Sequence, residues 1–145
     1  PSPDGAHIAF VSSRDGGSAL YRTDSNGSNP RRLLDNQKTG SETTFYNDTV
    51  PFWSPDGQWL VFASDRDGPY QLYLLHIPTA KTCQLTAGES QPGSPVWSPD
   101  GQSILFLDHS ANSLSLLRLG SSSLQRLAPS ISESLSTAPA WSSPK

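Results

Sequence analysis

Ser2-Pro3-Asp4-Gly5 returns as Ser54-Pro55-Asp56-Gly57 and again as Ser98-Pro99-Asp100-Gly101. The first two copies lie 52 residues apart and the last two 44 apart. At the offset of 52, Ile8-Ala9-Phe10 falls on Leu60-Val61-Phe62, Arg14-Asp15-Gly16 on Arg66-Asp67-Gly68, Leu20-Tyr21 on Leu72-Tyr73 and Leu33 on Leu85. At the offset of 44, the third copy supplies Ile104-Leu105-Phe106, Asn112 in place of Gly68, and Leu116-Leu117. It is expected to lose two residues near Gly120 to Ser123 before closing at Leu127. Pro139-Ala140-Trp141-Ser142 begins a fourth copy, matching Pro51 to Ser54 and Pro95 to Ser98.

Each copy carries the physics of four short antiparallel strands. The first ends in Trp-Ser at Trp53, Trp97 or Trp141. Pro-Asp-Gly then turns the chain: proline presets φ, aspartate bonds the local backbone and glycine takes a positive φ. The second strand is a near-continuous apolar run, typical of a strand buried on both faces. Asp-Gly turns the chain again in two copies, and Asn112 is the non-glycine residue that best tolerates positive φ. Third strands are read at Leu20–Thr23, Leu72–Leu75 and Leu114–Leu119, and fourth strands around Leu33, Leu85 and Leu127. Short strands, tight turns and a period in the low forties specify four-stranded propeller blades.

The fold class is therefore all-β: a partial β-propeller of three blade equivalents forming an open arc. Blade one, lacking its inner strand, covers 1–34 and a long interblade loop 35–50. Blade two covers 51–86 and a connection 87–94. Blade three covers 95–128 and a connection 129–138, and 139–145 is the inner strand of blade four. An open arc leaves its end blades unpacked. Either further blades of the same chain complete the ring, or a second copy does, with Pro139–Ser142 of one chain pairing with Ala6–Phe10 of the other. A chain without methionine reads as a processed or excised piece.

Thirteen acidic residues against ten Lys plus Arg give a net charge of −3, which argues against a nucleic-acid surface. No apolar run reaches the ~18 residues of a membrane span, so membrane insertion is not expected. The single cysteine, Cys83, permits neither an internal disulfide nor a thiolate metal cluster, and reads as a half-buried strand residue. No nucleophile elbow, zinc-protease motif or phosphate loop occurs. His7, His76 and His109 are scattered, and Asp108 and His109 point to opposite faces of a strand. No catalytic residue, metal site or cofactor is assigned, and the chain is read as a non-enzyme. Asn26-Gly27-Ser28 and Asn47-Asp48-Thr49 fit a glycosylation pattern that arises often by chance.

Arg14-Asp15 and Arg66-Asp67 recur at one repeat position, which favours bracing a turn or a neighbouring blade. The unrepeated feature is more informative. As the spacing falls from 52 to 44, the connection Asp35 to Val50 is eight residues longer than its counterpart. Loops longer than connection requires are where binding tends to sit. Interblade loops share a face with the turns between second and third strands, opposite the Pro-Asp-Gly turns. Phe45, Tyr46, Asn47 and Asp48 thus join Arg66 and His109 on one face, and these six are the candidate partner-binding residues.

The pattern Pro-x-Trp-Ser-Pro-Asp-Gly, apolar-x-Phe-x-Ser-x-Arg-Asp-Gly, Leu-Tyr, Leu-Thr resembles the WD-like repeat of the TolB family, which Pro51 to Thr86 matches at nearly every anchor. Blade three departs at Ser110-Ala111-Asn112. The resemblance implies an intact propeller of about six to eight blades. It also implies a periplasmic or cell-envelope setting and a docking role toward a protein or peptide. Similar propellers cap serine peptidases of the prolyl-oligopeptidase kind, which leaves open a gating role for a catalytic domain outside the chain. Asp48 matches an aspartate frequent in such repeats before the inner strand, where a cation or a partner's amine could be held. Pro92 and Ser136 stand at its later equivalents, so a carboxylate ring is not expected.

Overall fold

A computed structural model describes residues 1–35, 46–121 and 123–128. Phe45 with the rest of the long loop at 36–44, the connection read at 129–138 and the fourth-blade inner strand read at 139–145 lie outside the described residues. Eleven strands form three antiparallel sheets among the described residues. Blade one holds β1 (His7–Ser12), β2 (Ala19–Asp24) and β3 (Arg31–Arg32). Blade two holds β4 (Phe52–Trp53), β5 (Trp59–Ser64), β6 (Gln71–His76) and β7 (Lys81–Gln84). Blade three holds β8 (Pro92–Trp97), β9 (Ser103–Asp108), β10 (Ser113–Arg118) and β11 (Ser123–Ala128). Within every sheet the strands pair in chain order. The expected all-β open arc is the observed architecture.

The Ser-Pro-Asp-Gly turns are superimposable in their chemistry. Asp56 Oδ1 accepts from Ser54 Oγ at 2.5 Å and from Gln58 N at 3.0 Å, while Ser54 Oγ accepts from Trp59 N at 2.9 Å. Asp4 and Asp100 repeat the arrangement with Ser2 and Ser98. These hydroxyl bonds first, and the backbone amides next, hold all three carboxyls below the usual aspartate range. Gly5, Gly57 and Gly101 close the turns at φ near +70°. The turns also nest: Pro3 lies against Gly57 and Pro55 against Gly101.

Alternation along β5 explains why its apolar run is unbroken. Leu60 and Phe62 pack toward blade one with Leu20, Tyr73 and Leu75. Val61 and Ala63 pack toward blade three with Leu72, Leu74, Ile104, Phe106 and Leu117. A strand between two blades has no solvent face. Only β1 departs: all six of its residues are half-buried, because it is the edge strand of its sheet.

The third copy differs from its expected alignment. Phe62 pairs with Tyr73, but Phe106 pairs with Ser115, so Leu114 rather than Leu116 stands where Leu72 does. The two-residue loss therefore lies in the β9–β10 turn and not near Gly120 to Ser123. A buried carboxylate makes the shorter turn: Asp108 Oδ1 accepts from Ser110 N, Ser110 Oγ and Ala111 N, and Asn112 follows at φ +45°. β8 also begins at Pro92, inside the stretch read as the connection 87–94. Pro92 and Gly93 pair with Asp108 and Leu107 across a bulge that precedes Val96. Cys83 is exposed rather than half-buried, since β7 is an outer strand exposed along its whole length.

Candidate functional site

The end of the long interblade connection is tied into two blades. Asn47 N and Nδ2 donate to the two oxygens of Asp65 at 2.6 and 3.1 Å, and Asp65 N donates back to Asn47 O at 3.3 Å. On the other side, Asp48 N donates to Ser18 O of blade one at 2.8 Å. Asp48 forms a bridge with Ser64, and Thr49 exchanges bonds with Ala63 through its amide and hydroxyl. Residues 47–49 thus run beside β5 in line with β4.

Arg66 completes this junction. Its Nη2 lies 2.8 Å from Asp48 Oδ1, its Nε donates to Ser64 Oγ at 3.1 Å, and its guanidinium stacks on Phe62 and Tyr73. The Asp48 carboxylate is fully buried, and the Arg66 side chain is 14% exposed. Asp48 Oδ2 has no hydrogen-bond partner among the described residues. Taking such a carboxylate out of water costs on the order of several kcal/mol, and the guanidinium offsets that cost. Blade one repeats the stacking half of the device: Arg14 lies over Phe10 and Tyr21, and Tyr21 donates to Asp15 as Tyr73 does to Asp67. Recurrence here has the bracing role that the repeat position suggested.

Beside the junction, between blades two and three, lies a cavity of about 350 Å³ lined by Thr49, Pro69, Tyr70, Gln91, Pro92 and His109. Tyr70 is 38% exposed, and burial first, then the Asp65 and Asp48 carboxylates, raise its phenol above the ordinary value. The exposed His109 ring rests on Gly93, where an added Cβ would stand 2.6 Å from Nε2. His109 N donates to Gln91 O at 3.0 Å, tying the blade-three rim of the cavity together. Asp108 secures that rim from below, accepting from Ser90 Oγ and Gln91 N at 3.0 and 3.2 Å. A larger cavity of about 730 Å³ opens beside the Pro-Asp-Gly turns, walled by Trp59, Leu74, Leu85, Trp97 and Leu117 with Cys83 at its margin.

Of the six candidate residues, Asn47, Asp48 and Arg66 come together in the junction, with the half-buried Tyr46 directly preceding them. His109 sits apart from them, across the cavity from Thr49. Phe45 lies outside the described residues. Sequence reasoning passed over Tyr70, Thr49, Gln91 and Gly93. A signal existed for Tyr70: Ser18 holds its place in blade one, and the short turn of blade three has no equivalent. No group of three metal-ligating side chains occurs among the described residues.

The profile of the PD40 family, described as the TolB beta propeller domain, matches residues 1–144. The Tol-Pal system protein TolB of Desulfosudis oleivorans is 36% identical over 72 residues, covering 50% of this chain and 15% of that protein. The solved structure of a candidate TolB from Agrobacterium tumefaciens matches with a TM-score of 0.72 and 30% identity, over 86% of this chain and 43% of that one. A puromycin-hydrolysing peptidase of Mycobacterium tuberculosis shares the fold with a TM-score of 0.67 at 18% identity, over 88% of this chain and 21% of the peptidase. The chain thus spans less than half the length of each of these proteins.

Proposed function

The chain belongs to the TolB β-propeller domain family, and on that premise we propose that it is a non-catalytic module receiving a protein or peptide partner on its interblade-loop face. The observation that carries this reading is the pairing of an exposed aromatic rim, Tyr70 and His109, with a rigid base. Beneath and beside the rim, Asp48–Arg66, Asn47–Asp65 and Asp108–Gln91 are bonded internally. A base that is already bonded needs no reordering on binding, and an aromatic anchor beside polar groups suits a partner. The likeness to a peptidase propeller is a likeness of fold, and fold alone does not transfer an activity. A setting in the cell envelope belongs to the same proposal.

Site-specific photocrosslinking tests the face. A benzophenone side chain at Tyr70 or His109 is expected to capture a partner in cells of the source organism. The same group at Gln58 or Gln102, beside the Pro-Asp-Gly turns, is expected to capture none. Capture from Gln58 and Gln102 alone would overturn the assignment.

A further inference from the structure

We propose that the cavity between Tyr70 and His109 receives the arginine or lysine side chain of an extended partner segment. The inference rests on the reading of this face as the docking face, and names the chemistry of what docks.

The first support is shape. The cavity of about 350 Å³ lies in the size range of side-chain and small-ligand pockets. Pro69 of blade two and Pro92 of blade three stiffen the lining. The Tyr70 ring is exposed at the rim, where an incoming guanidinium or ammonium can stack on its face. Arg66 on Tyr73 and Arg14 on Tyr21 already show cations taking that position on tyrosine rings of this chain. Gln91 supplies an exposed amide whose carbonyl can accept from the incoming group.

Charge is the second support. Asp48 adjoins the lining residue Thr49, Asp65 and Asp67 precede Pro69, Glu89 lies two residues before Gln91, and Asp108 adjoins His109. Arg66 pairs with Asp48, which leaves Asp65, Asp67, Glu89 and Asp108 without a paired cation among the described residues. The Asp48 and Asp65 charges act directly on the Tyr70 hydroxyl. An anionic ligand would meet this field unfavourably, and a neutral apolar side chain would gain nothing from it. A partner cation is the occupant that uses both the ring and the field.

The test uses the intact protein and four blocked tripeptides, Ac-Gly-X-Gly-NH2, with X as arginine, citrulline, glutamate or phenylalanine, followed by NMR titration. The arginine peptide is expected to bind, with affinity falling several-fold as salt shortens the screening length from about 10 Å to nearer 3 Å. Tyr70→Ala should weaken it at least tenfold. Gly93→Ala, which forces the His109 ring from its seat, should weaken it while leaving near-ultraviolet circular dichroism unchanged. Equal binding of citrulline and arginine, preference for phenylalanine or glutamate, or indifference to Tyr70→Ala would each overturn the proposal. Those outcomes leave the docking face standing if crosslinking at Tyr70 still captures a partner. Crosslinking confined to Gln58 and Gln102 would remove the face and this inference with it.

Discussion

Arg66 reaches from the β5–β6 turn to a carboxylate, Asp48, that lies eighteen residues earlier and is wholly excluded from water, with 2.8 Å between Nη2 and Oδ1. The two partners are not equivalent. Arg66 retains partial exposure and stacking on two rings, whereas Asp48 has nowhere to solvate its charge. Arg66→Ala is therefore expected to cost about 3–5 kcal/mol, the range for stranding a buried ion. Asp48→Ala should cost clearly less, since the guanidinium it releases can turn to solvent. Urea denaturation of both variants measures the asymmetry, and equal losses would show that the carboxylate is not the stranded partner.

Tyr73 and Asp67 predict a response at high pH. Burial first, then the hydrogen bond to Asp67 at 2.6 Å, raise the Tyr73 phenol well above the ordinary tyrosine value. The fold thus favours the neutral phenol. The corresponding stability is fully present below the unfolded value of about 10 and is lost as pH rises above it. Tyr73→Phe should lower stability at neutral pH by about 1 kcal/mol and flatten the decline above pH of about 10. Thermal melts across that range test both effects.

The Pro-Asp-Gly turns give a conformational prediction. A Cβ at Gly57 would meet Pro3 Cδ at 3.6 Å, an ordinary contact, so crowding is not the obstacle. The obstacle is φ at +70°, and Gly57→Ala should cost about 1–2 kcal/mol, with Gly57→Asn costing less. Comparing the two variants by denaturation separates backbone strain from packing. Asp56 adds an acid limb: its carboxyl is lowered, so its contribution is present above the unfolded value of about 4 and is lost as pH falls through the lower folded value. Asp56→Asn should reduce that acid loss.

The blade pattern was legible because each turn and apolar run answers to local rules. Proline and glycine fix the turn, and period-two alternation places Leu60 and Phe62 opposite Val61 and Ala63. The shortened turn of blade three was misplaced because residues of one type sit at both candidate registers: Leu114 and Leu116 are each consistent with the position of Leu72. What settles the register is the Asp108 carboxylate gathering the turn amides, a three-dimensional fact with no local periodicity. The junction was half visible. Proximity of the long connection to Arg66 follows from strand alternation, but the burial of Asp48 and the pairing of Asn47 with Asp65 depend on blade packing. One practical consequence concerns deletion of 35–50, which would remove the ties at Asn47, Asp48 and Thr49 along with the loop. A deletion limited to 36–44 is expected to preserve those ties, and retained near-ultraviolet circular dichroism checks it.

Asp108 offers the sharpest test of how blade three compensates for lacking Arg-Asp-Gly. Burial alone would raise its carboxyl, yet hydrogen bonds from Ser110, Ser90, Gln91 and Ala111 outweigh burial and hold it low. Asp108→Ala strands the amides of Gln91, Ser110 and Ala111 and is expected to cost about 3 kcal/mol. Asp108→Asn keeps one acceptor oxygen and should cost less. Because the folded carboxyl is lowered, the wild-type contribution is intact above the unfolded value of about 4 and disappears as pH falls through the folded value. The wild type and Asp108→Asn should therefore converge in stability at acid pH. Hydrogen exchange at the Ser110 and Ala111 amides locates the effect: faster exchange confined to this turn identifies Asp108 as its organiser. Uniform acceleration across β9 and β10 would assign it instead to the strand pair as a whole.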